Sequence, residues 1–165
     1  MPLAKTIYLA LGSNLGDRAA NLARAAELLG ESEVRILRAS SIFETEPMYM
    51  TAQPRFLNQV IEAETTLFPR QLLSVTRKIE KAIGRKPGPP NGPRVIDIDI
   101  LLFAKSVVNV PDLVIPHPRL AERRFVLEPL AEIAPDLRHP VTRRSVREML
   151  AEVKTQTVRK TGQQL

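Results

Sequence analysis

Cysteine is absent from the chain, which excludes a disulfide framework, a thiolate metal site and a cysteine nucleophile. Aromatic residues make up only 4%, too few for the aromatic-rich strands on which RNA-recognition sheets stack bases. Long apolar runs are missing as well. The N-terminal "MPLAKTIYLALGSN" has one Lys before a short apolar run that breaks at Gly12, so neither a signal peptide nor a membrane span is read there. The expectation is a cytoplasmic protein with no membrane and no nucleic-acid partner.

What is present suits one folded unit. The 165 residues, with 44% hydrophobic and 25% charged side chains, are enough for a single domain with its own core. It is expected over residues 1–155, with 156–165 as a basic, polar C-terminal tail, and it is expected to be a monomer. A net charge of +6 favours anionic partners such as nucleic acid, an acidic membrane surface or a polyphosphate. Part of that excess, Arg143, Arg144, Arg147, Lys154, Arg159 and Lys160, reads as a solvated helix face and tail.

Hydrophobic spacing orders the elements. Ile7 to Leu11 reads as a buried strand, and from Asp17 the recurrence of Leu22, Ala25 and Leu29 before Gly30 reads as a helix. Val34 to Phe43 and Phe56 to Thr66 read as strands. Pro69 suits a first helical position, with Leu72, Thr76, Ile79 and Ile83 on one face and Gly84 as the stop. "GRKPGPPNGPR", Gly84 to Arg94, is a surface loop. A further strand follows, then a proline-punctuated segment and two short helices around Phe125 and Val146 to Val153. Strand, helix, strand, strand, helix, strand is the ferredoxin-like βαββαβ order of an α+β fold, with an antiparallel sheet, both helices on one face and a C-terminal helical extension.

The last core strand, "GPRVIDIDILLF", raises a question of charge. Residues two apart leave a strand on the same side, so Asp97 and Asp99 point together while Ile96, Ile98 and Ile100 point the other way. Adjacent carboxylates resist joint ionisation. Either they line an exposed strand face and pair with nearby Arg, or they hold a cation such as Mg²⁺, which is commonly bound by one or two carboxylates together with substrate phosphates. Arg94, and Arg85 and Lys86 in the preceding loop, put phosphate-binding charge beside the pair.

Four stretches in order, "LGSNLGDR" (Leu11 to Arg18), "FLNQVIEAET" (Phe56 to Thr65), "GPRVIDIDILLF" (Gly92 to Phe103) and "IPHPRLAERRFVLEPLAEIAPD" (Ile115 to Asp136), resemble the 6-hydroxymethyl-7,8-dihydropterin pyrophosphokinase family of folate biosynthesis. The resemblance covers about Ile7 to Asp136. It implies a ferredoxin-like fold and transfer of the pyrophosphoryl group of MgATP to the pterin hydroxymethyl oxygen, releasing AMP. It implies that Asp97 and Asp99 are the metal ligands for two Mg²⁺ ions, with Arg85 and Arg94 also catalytic. Thr45, Pro47, Met48, Phe56, Asn58 and Phe125 match pterin-binding positions, and Glu80, Arg85, Arg94, Ile100, His117 and Arg123 match ATP-binding positions. Pterin and ATP are then the small-molecule partners.

Other classes remain to be weighed. A basic ferredoxin-like sheet also serves RNA-binding modules and metabolite-binding regulatory domains, but "DID" would present negative charge to RNA phosphates. The chain departs from the family in its loop, where Pro90 and Asn91 stand in place of an aromatic and a basic residue; Arg77, Asp112, Val114 and Pro118 differ too. Proline restricts the open loop, so its closing motion is expected to be small. Hydrogen exchange across residues 84–94 should slow only modestly when MgATP and the pterin are added, and equal exchange with and without them would count against closure.

Overall fold

The computed structural model describes residues 3–45, 53–88, 92–154 and 158–162. Its centre is β1 (Lys5–Ser13), flanked antiparallel by β5 (Asp97–Phe103) and β4 (Phe56–Thr65). On the far side of β4 lie β2 (Val34–Ala39), against its second half, and β3 (Phe43–Thr45), against its first. These two short strands replace the single strand read from Val34 to Phe43. The interruption falls at Ser40, whose hydroxyl accepts from the Val60 N–H at 2.9 Å while its carbonyl accepts from Gln59 Nε2 at 2.9 Å. The Ser40 hydroxyl and the Gln59 amide nitrogen thus take over part of the ladder, which lets the strand bend without stranding these buried polar groups.

Helices α1 (Arg18–Gly30) and α2 (Pro69–Ile83) cover one face of the sheet. Asp17 caps α1 by accepting from Ala20 N at 3.1 Å, and Gly84, at φ 120°, ends α2. Leu22, Ala25, Leu29, Leu72 and Ile79 bury there against Ile7, Leu9, Leu11, Ile98 and Ile100. This is the expected ferredoxin-like α+β arrangement. The C-terminal region does more than append to it. Helix α3 (Arg124–Ile133), backed by α4 (Val146–Glu152), packs Val126, Leu127 and Leu130 over Tyr8, Val60, Leu101 and Leu102 on the opposite face. It covers only part of that face.

A bulge in β5 reconciles the two cores. Ile100 faces Leu9 and Leu102 faces Tyr8, leaving Leu101 as an extra residue. Side-chain parity changes there, so Phe103 joins the core beneath α1 and α2 while Leu102 faces α3. Beyond β5, a hairpin of β6 (Val108–Val110) and β7 (Leu113–Ile115) returns the chain, and His117 N donates to Leu101 O at 2.9 Å. No helix among the described residues is long and apolar enough to cross a membrane.

Part of the segment read as a polar tail forms β8 (Val158–Lys160), an edge strand on β3. Arg159 pairs with Glu44 at 2.9 Å, Lys160 with Glu132 of α3 at 3.0 Å, and Thr161 N donates to Ile42 O at 2.9 Å. Alternation could not reveal a strand of three residues with only Val158 apolar. Deleting residues 158–165 should cost about 1–3 kcal/mol through lost ladder bonds, whereas Arg159→Ala, which removes one exposed pair, should cost under about 1 kcal/mol. Urea unfolding of both variants measures this; equal losses would assign the stabilisation to the ion pair instead.

Candidate active site

The uncovered part of the α3 face is a cleft over the ends of β5, β1 and β4. Asp97 lies opposite Gly12, and Gly12 opposite Asn58; in the next row Asp99, Ala10 and Val60 are aligned. The small residues of β1 make a low floor between taller side chains. Asp97, Asp99, Arg85, Arg94, Arg123, Phe56, Phe125, Asn58 and Thr45 all line this one cleft. Both carboxylates therefore point to the same side, as their spacing predicts, with Ile96 and Ile98 buried beneath α1 and α2.

Charge around the pair is dense. Arg85 Nη1 bridges Asp97 Oδ1 at 2.8 Å and Glu80 Oε2 at 2.7 Å, and Glu80 Oε2 also accepts from Ile98 N at 2.8 Å. Burial raises the Glu80 carboxyl above its usual range despite these donors. Burial, then the Asp97 charge, push Asp99 up to about 7. Arg123 Nη1 stands 4.0 Å and His117 Nε2 3.9 Å from Asp99 Oδ2, close enough for electrostatic contact but too long for hydrogen bonds. Arg123 Nε is buried with no hydrogen-bond partner among the described residues, and its guanidinium lies 5.5 Å from the Phe125 ring centre. Burial and the Arg123 charge lower His117 to about 4. Its Nδ1 accepts from Arg119 N at 3.1 Å, so the proton of the neutral ring sits on Nε2, facing Asp99.

The other half of the cleft is flat and apolar with one polar edge. Phe56 and Phe125 contribute rings, and Asn58 Nδ2 donates to Thr45 Oγ1 at 2.7 Å. Pro47 and Met48 lie outside the described residues. Ile100 is 6% exposed and packs in the core beneath α1 and α2 rather than lining the cleft. Glu80 and His117 stand behind the lining residues and act on them through Arg85, Asp97 and Asp99.

Asn14 has a larger part than a strand-to-helix turn requires. It is 1% exposed; its Oδ1 accepts from Arg94 N at 2.7 Å, its N–H donates to Arg94 O at 2.9 Å, and its Nδ2 donates to Gln53 Oε1 at 2.8 Å and Pro54 O at 3.0 Å. One side chain thereby ties the segment before Phe56 to the segment carrying Arg94. The "LGSN" stretch contained that signal, but its partners lie about 40 and 80 residues away, beyond the reach of any local pattern.

A family model described as 7,8-dihydro-6-hydroxymethylpterin-pyrophosphokinase matches residues 8–135. The chain belongs to this family. It is 42% identical over 147 residues to the 2-amino-4-hydroxy-6-hydroxymethyldihydropteridine pyrophosphokinase of Aquifex aeolicus, covering 89% of this chain and 91% of that protein. It is 44% identical over 136 residues to the Bacillus subtilis protein of the same name, covering 82% and 81%. Against the folic acid synthesis protein fol1 of Pneumocystis carinii the identity is 43% over 142 residues, 86% of this chain but 19% of that one. The fold also matches the crystal structure of Plasmodium falciparum HPPK-DHPS, wild type with pteroate, at TM-score 0.73 and 18% identity, over 91% of this chain and 42% of that chain. The chain thus spans about a fifth of the fungal relative and under half of the Plasmodium protein.

This pyrophosphokinase-family chain brings two carboxylates to the cleft. Among the described residues no cluster of three or more His, Cys, Asp or Glu could hold a metal alone. Asp97 and Asp99, each about a third exposed to the cleft, fit an ion shared with substrate phosphates and water.

The pair carries a pH-dependent cost. Folded Asp99 keeps its proton up to about pH 7, well above its ordinary 3.8. Between those values the unfolded chain binds fewer protons, so stability falls as pH rises through the window. Asp99→Asn should raise Tm at about pH 8, by roughly 2–4 °C per kcal/mol recovered, and leave it nearly unchanged at about pH 4. Thermal unfolding at both pH values checks this; equal shifts at each would refute it.

Proposed function

We propose that the chain transfers the pyrophosphoryl group of ATP to the hydroxymethyl oxygen of 6-hydroxymethyl-7,8-dihydropterin, releasing AMP. The observation that carries this reading is that an aromatic slot with a fixed amide edge and a carboxylate pair ringed by arginines share one cleft. Phe56 and Phe125 take the two faces of the bicyclic ring, a contact worth about 0.5–1.5 kcal/mol each beyond burial. Asn58 reads the ring edge, its amide oriented by Thr45. Asp97 and Asp99 hold Mg²⁺, two ions in the family resemblance, which supplies positive charge against the triphosphate.

The remaining work falls to cations. Arg94 and Arg123 reach phosphate oxygens within the cleft, and Arg85 exchanges its Asp97 contact for phosphate while Glu80 keeps it oriented. Neutral His117 offers an Nε2 proton without adding charge. Phosphoryl chemistry of this kind needs alignment of the hydroxyl with the β-phosphorus and charge stabilisation rather than a covalent enzyme intermediate. An RNA-binding reading is disfavoured because the open sheet face presents carboxylates.

Incubating the protein with the hydroxymethyl pterin, ATP and Mg²⁺ should yield AMP; ADP would indicate a simple kinase and overturn the proposal. Asp97→Ala should lower turnover by roughly 100- to 1000-fold or more with far-UV circular dichroism unchanged. Retained activity would remove Asp97 from the machinery.

A further inference from the structure

We infer that Gly12 is a specificity-determining position: having no side chain, it keeps the Asn58 carbonyl oxygen open to a hydrogen-bond donor on the edge of the pterin ring. The inference rests on the pterin reading of the cleft. Gly12 does not owe its place to backbone conformation. Gly16 and Gly84 have positive φ, but Gly12 does not, so any L-residue could adopt its conformation. A glycine inside the central strand of a sheet weakens that strand and calls for another reason, such as close approach of a ligand or another group.

The surroundings supply one. A Cβ placed on Gly12 would lie 3.3 Å from Asn58 Oδ1 and 3.6 Å from Phe56 Cδ1, the polar and the flat parts of the slot. Asn58 has little room to yield. It is 6% exposed, and its Nδ2 is engaged with Thr45 Oγ1 at 2.7 Å, which directs Oδ1 towards Gly12. Asn58 Oδ1 is the acceptor left for a ligand, and a methyl group would cover it. Gly12 also sits midway in the row from Asp97 to Asn58, so a side chain there would rise between the carboxylate end and the ring-edge end of the cleft.

Acting through Asn58, Gly12 is a positioning residue, and its variant should separate the two substrates. Gly12→Ala is expected to raise the KM for the pterin about 10- to 100-fold, the effect of burying an acceptor unsatisfied, while the KM for ATP stays at its wild-type value and the chain remains folded. In an Asn58→Ala background the same substitution should add much less than it does alone. An unchanged pterin KM, fully multiplicative effects in the double variant, or a Gly12→Ala chain that loses its fold or its affinity for both substrates would each overturn the inference. Wild-type protein that releases no AMP would instead overturn the pyrophosphokinase reading itself.

Discussion

Repulsion between two carboxylates on one side of β5 is the constraint around which the cleft is organised. Their spacing on the strand forces Asp97 and Asp99 together, and burial of Ile96, Ile98 and Ile100 on the other side prevents either from turning away. Arg123 and Arg85 ease the ionisation of Asp99 without restoring it: burial, then the Asp97 charge, still hold its proton to about 7. The cleft is therefore built to favour positive charge beside the two acids. This is the usual relation between a binding site and stability: groups arranged for a ligand are arranged badly for the empty fold.

The sheet's two faces divide the labour. Beneath α1 and α2 lies a continuous apolar core that fixes the strands, while α3 covers the opposite face only as far as Tyr8, Val60 and Leu102. Where that cover ends, β1 runs from Tyr8 to Ala10 to Gly12, losing side-chain volume at each step. The cleft is thus a tapering of the second core, floored by the same strand that stabilises it.

Much of this was legible in sequence where a local period carries the information. Alternation in "IDIDI" gives the direction of both aspartates, and the spacing of Leu22, Ala25 and Leu29 gives the face of α1. The same spacing logic places Phe56 and Asn58 on one side of β4. What local pattern could not carry were features set by partners distant in the chain. The split between β2 and β3 depends on Ser40 meeting Val60, β8 depends on β3, and Asn14 on Arg94 and Gln53. Ile100 shows the converse limit: its matched position suggested a nucleotide contact, yet its side chain follows the alternation of the strand into the core.

The bulge at Leu101 has a consequence for how this protein can change. One unpaired residue divides β5 into an acidic half and a greasy half whose alternations are out of step. Were Leu101 instead paired with Tyr8 in unbroken register, Leu102 would turn beneath the helices and Phe103 would swing out. The joint therefore lets substitutions repack the distal half of β5 while the acids keep their aim, so that the interior and the chemistry can drift separately over generations.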